Sequence, residues 1–175
     1  MDAAPKDKRI EIYDYDPTWP ERFEDEKRQL QKLLAPWLFG TIEHIGSTAV
    51  PGLAAKPVID MMAPVLSLEK SQELIEIATH LGYLYYPYKS EEMHWFCKPS
   101  PTFRTHHLHV VPCNSQIWVD RLAFRDELRK SPELVNAYRE LKLTLATEYK
   151  TDRDGYTAAK GPFIQSVVSK VAHRK

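Results

Sequence analysis

The stretch Glu43–Met62, EHIGSTAVPGLAAKPVIDMM, constrains this chain more than any other. Two short apolar segments, Thr41–Ile45 and Val58–Ala63, bracket a loop of small residues. With a strand's period of two, Ile42 and His44 fall on one face of the first segment, and Thr41, Glu43 and Ile45 on the other. Gly46 and Ser47 open a turn where no Cβ at Gly46 blocks the close approach of a ligand. Pro51-Gly52 and Lys56-Pro57 punctuate the path into the second strand. There Val58, Asp60 and Met62 share a face, opposite Ile59 and Met61. Asp60 is a charge in a run that otherwise reads as core, and a buried carboxylate is costly unless it is paired. Exposed amides, a hydroxyl and the Lys56 ammonium on one loop suit phosphate oxygens, and a strand-borne Asp60 suits Mg²⁺. The plain alternative is a Gly/Pro-rich link between two core strands with one salt-bridged Asp.

The rest of the chain predicts an α+β fold. Residues 1–9 read as a flexible tail and 10–175 as one domain. Thr18 reads as the N-cap of a helix whose apolar stripe is Trp19, Phe23, Leu30, Leu33 and Leu34. Ser67 opens a second helix, closed by Gly82. Tyr83–Tyr86, His94–Lys98 and His106–Val111 read as strands. From Ser115 onward the pattern is helical, with a Ser-Pro start at Ser131 and a break over Thr151–Gly155. A final helix begins near Tyr156, and its stripe of Phe163, Ile164, Val167, Val168 and Val171 is expected to cover the sheet. The strands lie between residues 41 and 111. The expectation is one mixed sheet with helices packed on it and the long helices last.

Lys plus Arg and Asp plus Glu both number 24, so net charge points to neither nucleic acid nor a membrane surface. No run approaches the ~20 apolar residues of a membrane span. Cys97 and Cys113 lack metal-binding spacing and are too few for a disulfide framework. A cytoplasmic protein is expected. Trp95, Phe96, Trp118 and Phe124 are not interleaved with a basic stripe, which argues against single-stranded nucleic acid.

His107 and His109 leave their strand on one face, opposite Leu108 and Val110. Imidazoles at i and i+2 suit a metal, and Asp60 on a neighbouring strand would complete an open site. Lys56, Arg104, Arg125, Tyr156 and Lys160 are candidates to gather around an anion.

The block Glu43–Asp60 resembles the signature of the GrpB family, also called UPF0157, in the nucleotidyltransferase superfamily. The resemblance extends to Tyr15-Asp-Pro-Thr-Trp-Pro20, His107-Leu-His-Val110, Phe124-Arg-Asp126 and Tyr156…Lys160…Phe163-Ile164. It implies a nucleotidyltransferase-like sheet in which the strands of Asp60 and His107 are neighbours. It also implies a nucleotide or other phosphate-bearing ligand at Gly46 and Ser47, with Lys56, Arg125 and Lys160 as its cations. Asp60 and Lys56 would be the catalytic residues. A divalent metal, Mg²⁺ or Mn²⁺ ahead of Zn²⁺, would rest on Asp60, His107 and His109. One departure stands out: nucleotidyltransferases carry a second acid two residues after the first, and here that position is Met62. Two rivals to nucleotidyl transfer follow: a nucleotide-sensing module without turnover, and a transition-metal hydrolase built on Asp60, His107 and His109.

Overall fold

The computed structural model describes residues 9–173. The tail assigned to residues 1–9 lies, apart from Arg9, outside the described residues. The chain runs α1 (Trp19–Leu33), β1 (Glu43–Ile45), β2 (Ile59–Val65), α2 (Leu74–Ala78), β3 (Leu84–Tyr86), β4 (His94–Pro99) and β5 (Arg104–Pro112). Four helices close it: α3 (Gln116–Lys130), α4 (Pro132–Tyr149), α5 (Arg153–Ala159) and α6 (Gly161–Ala172). The strands form one mixed sheet in the order β1-β2-β5-β4-β3, with β2 and β5 parallel at its centre.

Both faces of the sheet are covered, which is why β2 is almost continuously apolar and still carries one acid. Ile59, Met61, Ala63, Phe96, Leu108 and Val110 pack with Trp19, Phe23, Leu30 and Leu34 of the α1 side and with Leu74 and Ala78 of α2. On the opposite face Ile45, Met62, Trp95, Cys97 and Val111 pack beneath Ile117, Trp118 and Leu122 of α3. A further cluster, Val50, Leu53, Leu128 and Tyr138, joins the loop after β1 to α3 and α4.

Local capping explains the starts of α3 and α4 and the stop at Gly82. Ser115 and Ser131 accept from the amides of Trp118 and Leu134 at 3.4 and 3.2 Å, and Gly82 ends its turn with φ +79°. Thr18 does not cap α1. Its hydroxyl and its amide both donate to Asp16 Oδ1, each at 2.8 Å, and Pro20 in the first turn makes a missing cap less costly.

The C-terminal expectation needs correcting. No single helix runs on from Tyr156: α5 ends before Lys160 and α6 starts at Gly161 with Pro162 in its first turn, where its missing N–H costs nothing. Nor does α6 lie across the sheet. It packs on α3 and α5, and Phe163 stacks on Tyr138 with centroids 5.1 Å apart. The sheet face it was expected to cover is already taken by α3. The interruption leaves Lys160 at the α5–α6 junction, its Nζ 4.3 Å from the centroid of the Tyr156 ring.

Candidate phosphate and metal site

The site begins with strand register. Asp60 is paired with His107 and Met62 with His109, so all four side chains emerge on the face that α3 covers. His107 Nδ1 lies 2.8 Å and His109 Nε2 3.4 Å from the same oxygen, Asp60 Oδ1. Burial alone would raise the Asp60 carboxyl. The charge and hydrogen bond of His107, with the hydrogen bond of His109, outweigh that and hold it well below the usual carboxylate range. His109 is 7 % exposed, and its pKa is pushed down to about 3 by burial and then by the charge of Arg121. Arg121 Nη1 stands 2.8 Å from His109 Nδ1.

Gly46 is required here. Its φ is +72°, and a Cβ would stand 2.7 Å from Asp60 Oδ2. The next residue, Ser47, begins a short 3-10 turn. Its hydroxyl meets Lys142 Nζ of α4 at 3.0 Å, and Lys142 also donates to the carbonyl of Ala54. Lys142 is 2 % exposed. Burial, with the charges of Lys160 and Lys56, lowers its pKa to about 7. Lys160 is lowered to about 8 by burial and by Lys56, against the pull of Asp60. Lys56 and Lys160 both lie over the Tyr156 ring, with Nζ 5.1 and 4.3 Å from its centroid. Neither Lys142 nor Lys160 makes an ion pair among the described residues. Tyr138 lies on the same side, with Lys142 Nζ 4.9 Å from the centroid of its ring.

The structure therefore brings together Gly46, Ser47, Lys56, Asp60, His107, His109 and Lys160. Arg125 is committed elsewhere: it donates to Glu43 Oε2 at 2.7 Å, to the carbonyl of His44 at 3.0 Å and to Asp126 at 2.8 Å. Arg104 donates to the carbonyl of Pro101 at 2.8 Å and lies over Trp95. Met62 is fully buried in the apolar cluster under α3, so the position of the absent second acid is core. A cavity of about 600 Å³ opens against Phe23, His44, Thr48 and Arg129. Its wall includes Thr48, Ala49, Pro51 and Gly52 of the loop that follows Ser47, and none of the residues of the site.

Sequence reasoning missed Lys142, Arg121 and Tyr138. The signal was present: Lys142 falls between Tyr138 and Leu145 on the buried stripe of α4, and Arg121 beside Trp118 and Leu122 on that of α3. Each is a charge on an apolar face, the same anomaly that marks Asp60 in β2.

The GrpB protein family model matches residues 9–170. The chain belongs to the GrpB family. It is 39 % identical to a UPF0157 protein of Pseudomonas aeruginosa, covering 94 % of this chain and 68 % of that one. A UPF0157 protein of Bacillus subtilis is 31 % identical over 91 % of this chain, which spans only 46 % of that relative's length. The crystal structure of conserved protein GrpB from Enterococcus faecalis superposes with a TM-score of 0.84 at 34 % identity, covering 94 % of this chain and 98 % of that one. The Cid1 poly(U) polymerase superposes with a TM-score of 0.50 at 12 % identity, over 79 % of this chain and 42 % of that one. That likeness is one of fold, and the fold is nucleotidyltransferase-like. Among the described residues no helix is long and apolar enough to cross a membrane.

Donor chemistry bears on the divalent metal expected from sequence at these residues. Asp60, His107 and His109 each offer a ligand atom, and all three atoms lie within 4.8 Å of one another. His107 Nε2 is buried and has no hydrogen-bond partner among the described residues, so the protein's own groups leave the cluster unsatisfied. One carboxylate and two imidazoles suit Mn²⁺ or Zn²⁺ better than Mg²⁺, which prefers oxygen. The residues fit a single divalent ion, and buried Met62 offers no ligand for a second.

Proposed function

We propose that this protein binds a nucleotide or related phosphate-bearing ligand, with the phosphates on Ser47, Lys142, Lys160 and Lys56 and one divalent ion on Asp60, His107 and His109. Lys142 carries the reading. A lysine buried against a serine hydroxyl, within reach of the charges of Lys56 and Lys160 and with no carboxylate ion pair among the described residues, is held in an electrostatically unfavourable state that an anion relieves. The Gly46–Ser47 turn lets backbone come close to such an anion, and the nucleotidyltransferase-like fold is in keeping with a nucleotide.

In this reading Lys142 orients the Ser47 hydroxyl, and Lys160 and Lys56 balance phosphate charge from the α5 side. Asp60 holds His107 by its Nδ1–H and fixes the direction of that ring. The ion, when bound, would supply Lewis-acid polarisation of a phosphoryl oxygen. With Met62 as core, two-metal nucleotidyl transfer has no second carboxylate at that position. The proposed activity is therefore nucleotide binding, with transfer to an acceptor as the step to be measured.

Calorimetric titration with ATP, with and without Mn²⁺, tests this on the wild type, Lys142→Met and Asp60→Asn. Lys142→Met should weaken ATP at least tenfold, about 1.4 kcal/mol. Asp60→Asn should remove the Mn²⁺ dependence. Equal affinity in wild type and Lys142→Met, with both folded by circular dichroism, refutes the phosphate site. Release of pyrophosphate from labelled ATP separates a transferase from a sensing module.

A further inference from the structure

Arg121 sits in the second turn of α3 and reaches His109 Nδ1 at 2.8 Å. A guanidinium has donors and no acceptor, so His109 Nδ1 must accept this bond. The neutral ring then carries its proton on Nε2, the nitrogen that faces Asp60 Oδ1 at 3.4 Å. Asp60 therefore accepts from both imidazoles, through His107 Nδ1 and His109 Nε2.

A metal bound at His109 Nε2 requires that nitrogen's lone pair. The ring proton then has to move to Nδ1, where a metal-bound histidine normally donates to an oxygen. Here Nδ1 would meet the N–H of Arg121, donor against donor. The hydrogen bond from Arg121 and a metal on His109 Nε2 exclude each other. Among the described residues Arg121 makes no ion pair, so no carboxylate salt bridge pins it in place, and the carboxylates whose charge reaches it are those of Asp60 and Glu92.

We propose that Arg121 is a latch on the Asp60 site: it selects the Nε2–H tautomer of His109, keeps both imidazoles donating to Asp60, and has to leave His109 before a divalent ion binds. This rests on the metal reading above. Arg121 is a positioning residue that acts through the imidazole, and its effect on metal affinity has the opposite sign from ordinary structural damage. Removing a packed arginine should loosen the site and weaken a ligand, whereas removing a latch should strengthen it.

The test is a Mn²⁺ titration followed by paramagnetic resonance on wild type, Arg121→Leu, Arg121→Lys and the His107→Ala/His109→Ala double variant. The latch predicts that Arg121→Leu binds Mn²⁺ at least tenfold tighter than wild type. Arg121→Lys, which keeps a donor at Nδ1, should stay closer to wild type. If the double variant loses Mn²⁺ while Arg121→Leu leaves affinity unchanged or lower, the latch is wrong and the metal reading stands. If the double variant binds as wild type does, the metal reading fails and the latch fails with it. Should Arg121→Leu not fold, ¹⁵N spectra of His109 in the wild type decide: Zn²⁺ should convert the Nε2–H tautomer to Nδ1–H. An unchanged tautomer in the metal-bound protein overturns the proposal.

Discussion

Lys142→Met offers the sharpest single test of the phosphate site, because the structure sets both the sign and the size of a proton count. Without ligand, the Lys142 ammonium has a pKa of about 7 and that of Lys160 about 8. At pH 7.5 Lys142 is then about one-quarter charged and Lys160 about three-quarters, from the ordinary titration relation. A phosphate beside them favours the charged forms and raises both pKa values, so binding completes the two charges. The protein takes up about 0.75 proton at Lys142 and about 0.25 at Lys160. In Lys142→Met at most the Lys160 part survives, because the repulsion between Lys142 and Lys160 acts on both and its loss leaves Lys160 more fully charged before ligand binds. Calorimetry of ATP binding in buffers of different ionisation enthalpy measures the uptake. The difference between the two proteins cancels any proton that ATP itself exchanges, and should be at least about 0.75 at pH 7.5. At pH 6, where Lys142 is already charged, it should fall to about 0.1. The affinity of the wild type should accordingly weaken as pH rises through 7 and 8. A difference near zero at pH 7.5, or one that does not shrink at pH 6, would show that the Lys142 ammonium does not meet the ligand.

Three further expectations can be checked by thermal unfolding. Between pH about 7 and its ordinary value of 10.5, Lys142 binds fewer protons folded than unfolded, so ligand-free stability should rise with pH there; Lys142→Met should flatten that rise and raise Tm at pH 7. Gly46→Ala combines a strained φ with a contact of 2.7 Å on Asp60 Oδ2 and should cost roughly 2 kcal/mol, about 4–8 °C in Tm; an unchanged Tm would contradict the close approach. Arg125→Met breaks the bonds to Glu43, His44 and Asp126 and should cost roughly 2–3 kcal/mol while leaving ATP affinity within about twofold; a tenfold loss of affinity in the folded variant would return Arg125 to the ligand site.

How much could be read without coordinates differs by element. Asp60 was legible because β2 is an apolar run in which a carboxylate cannot sit without partners, and His107 and His109 because two residues apart on a strand share a face. Gly46 and Ser47 stood out as small residues at a strand end. The separate starts of α3 and α4 at Ser115 and Ser131, and the left-handed stop at Gly82, are local hydrogen-bonding decisions, and these sequence determines almost alone. Tertiary structure decided what meets what. The parallel pairing of β2 with β5 sets Asp60 opposite His107 across 47 residues of chain, and nothing local encodes that register. Lys142 reaches Ser47 from 95 residues away, while Arg125, which looked equally available in sequence, is held by Glu43. The resting place of α6 was likewise open: an amphipathic stripe specifies that a helix must bury one face, but not which surface still has room. Here α3 already covers the sheet, so α6 packs on the helices. Hydrophobic burial is non-directional, and a charge is selective only once its partners are in place. Sequence could therefore point to an acid, two imidazoles and a set of cations, and only the folded chain could say which cations the acid keeps company with.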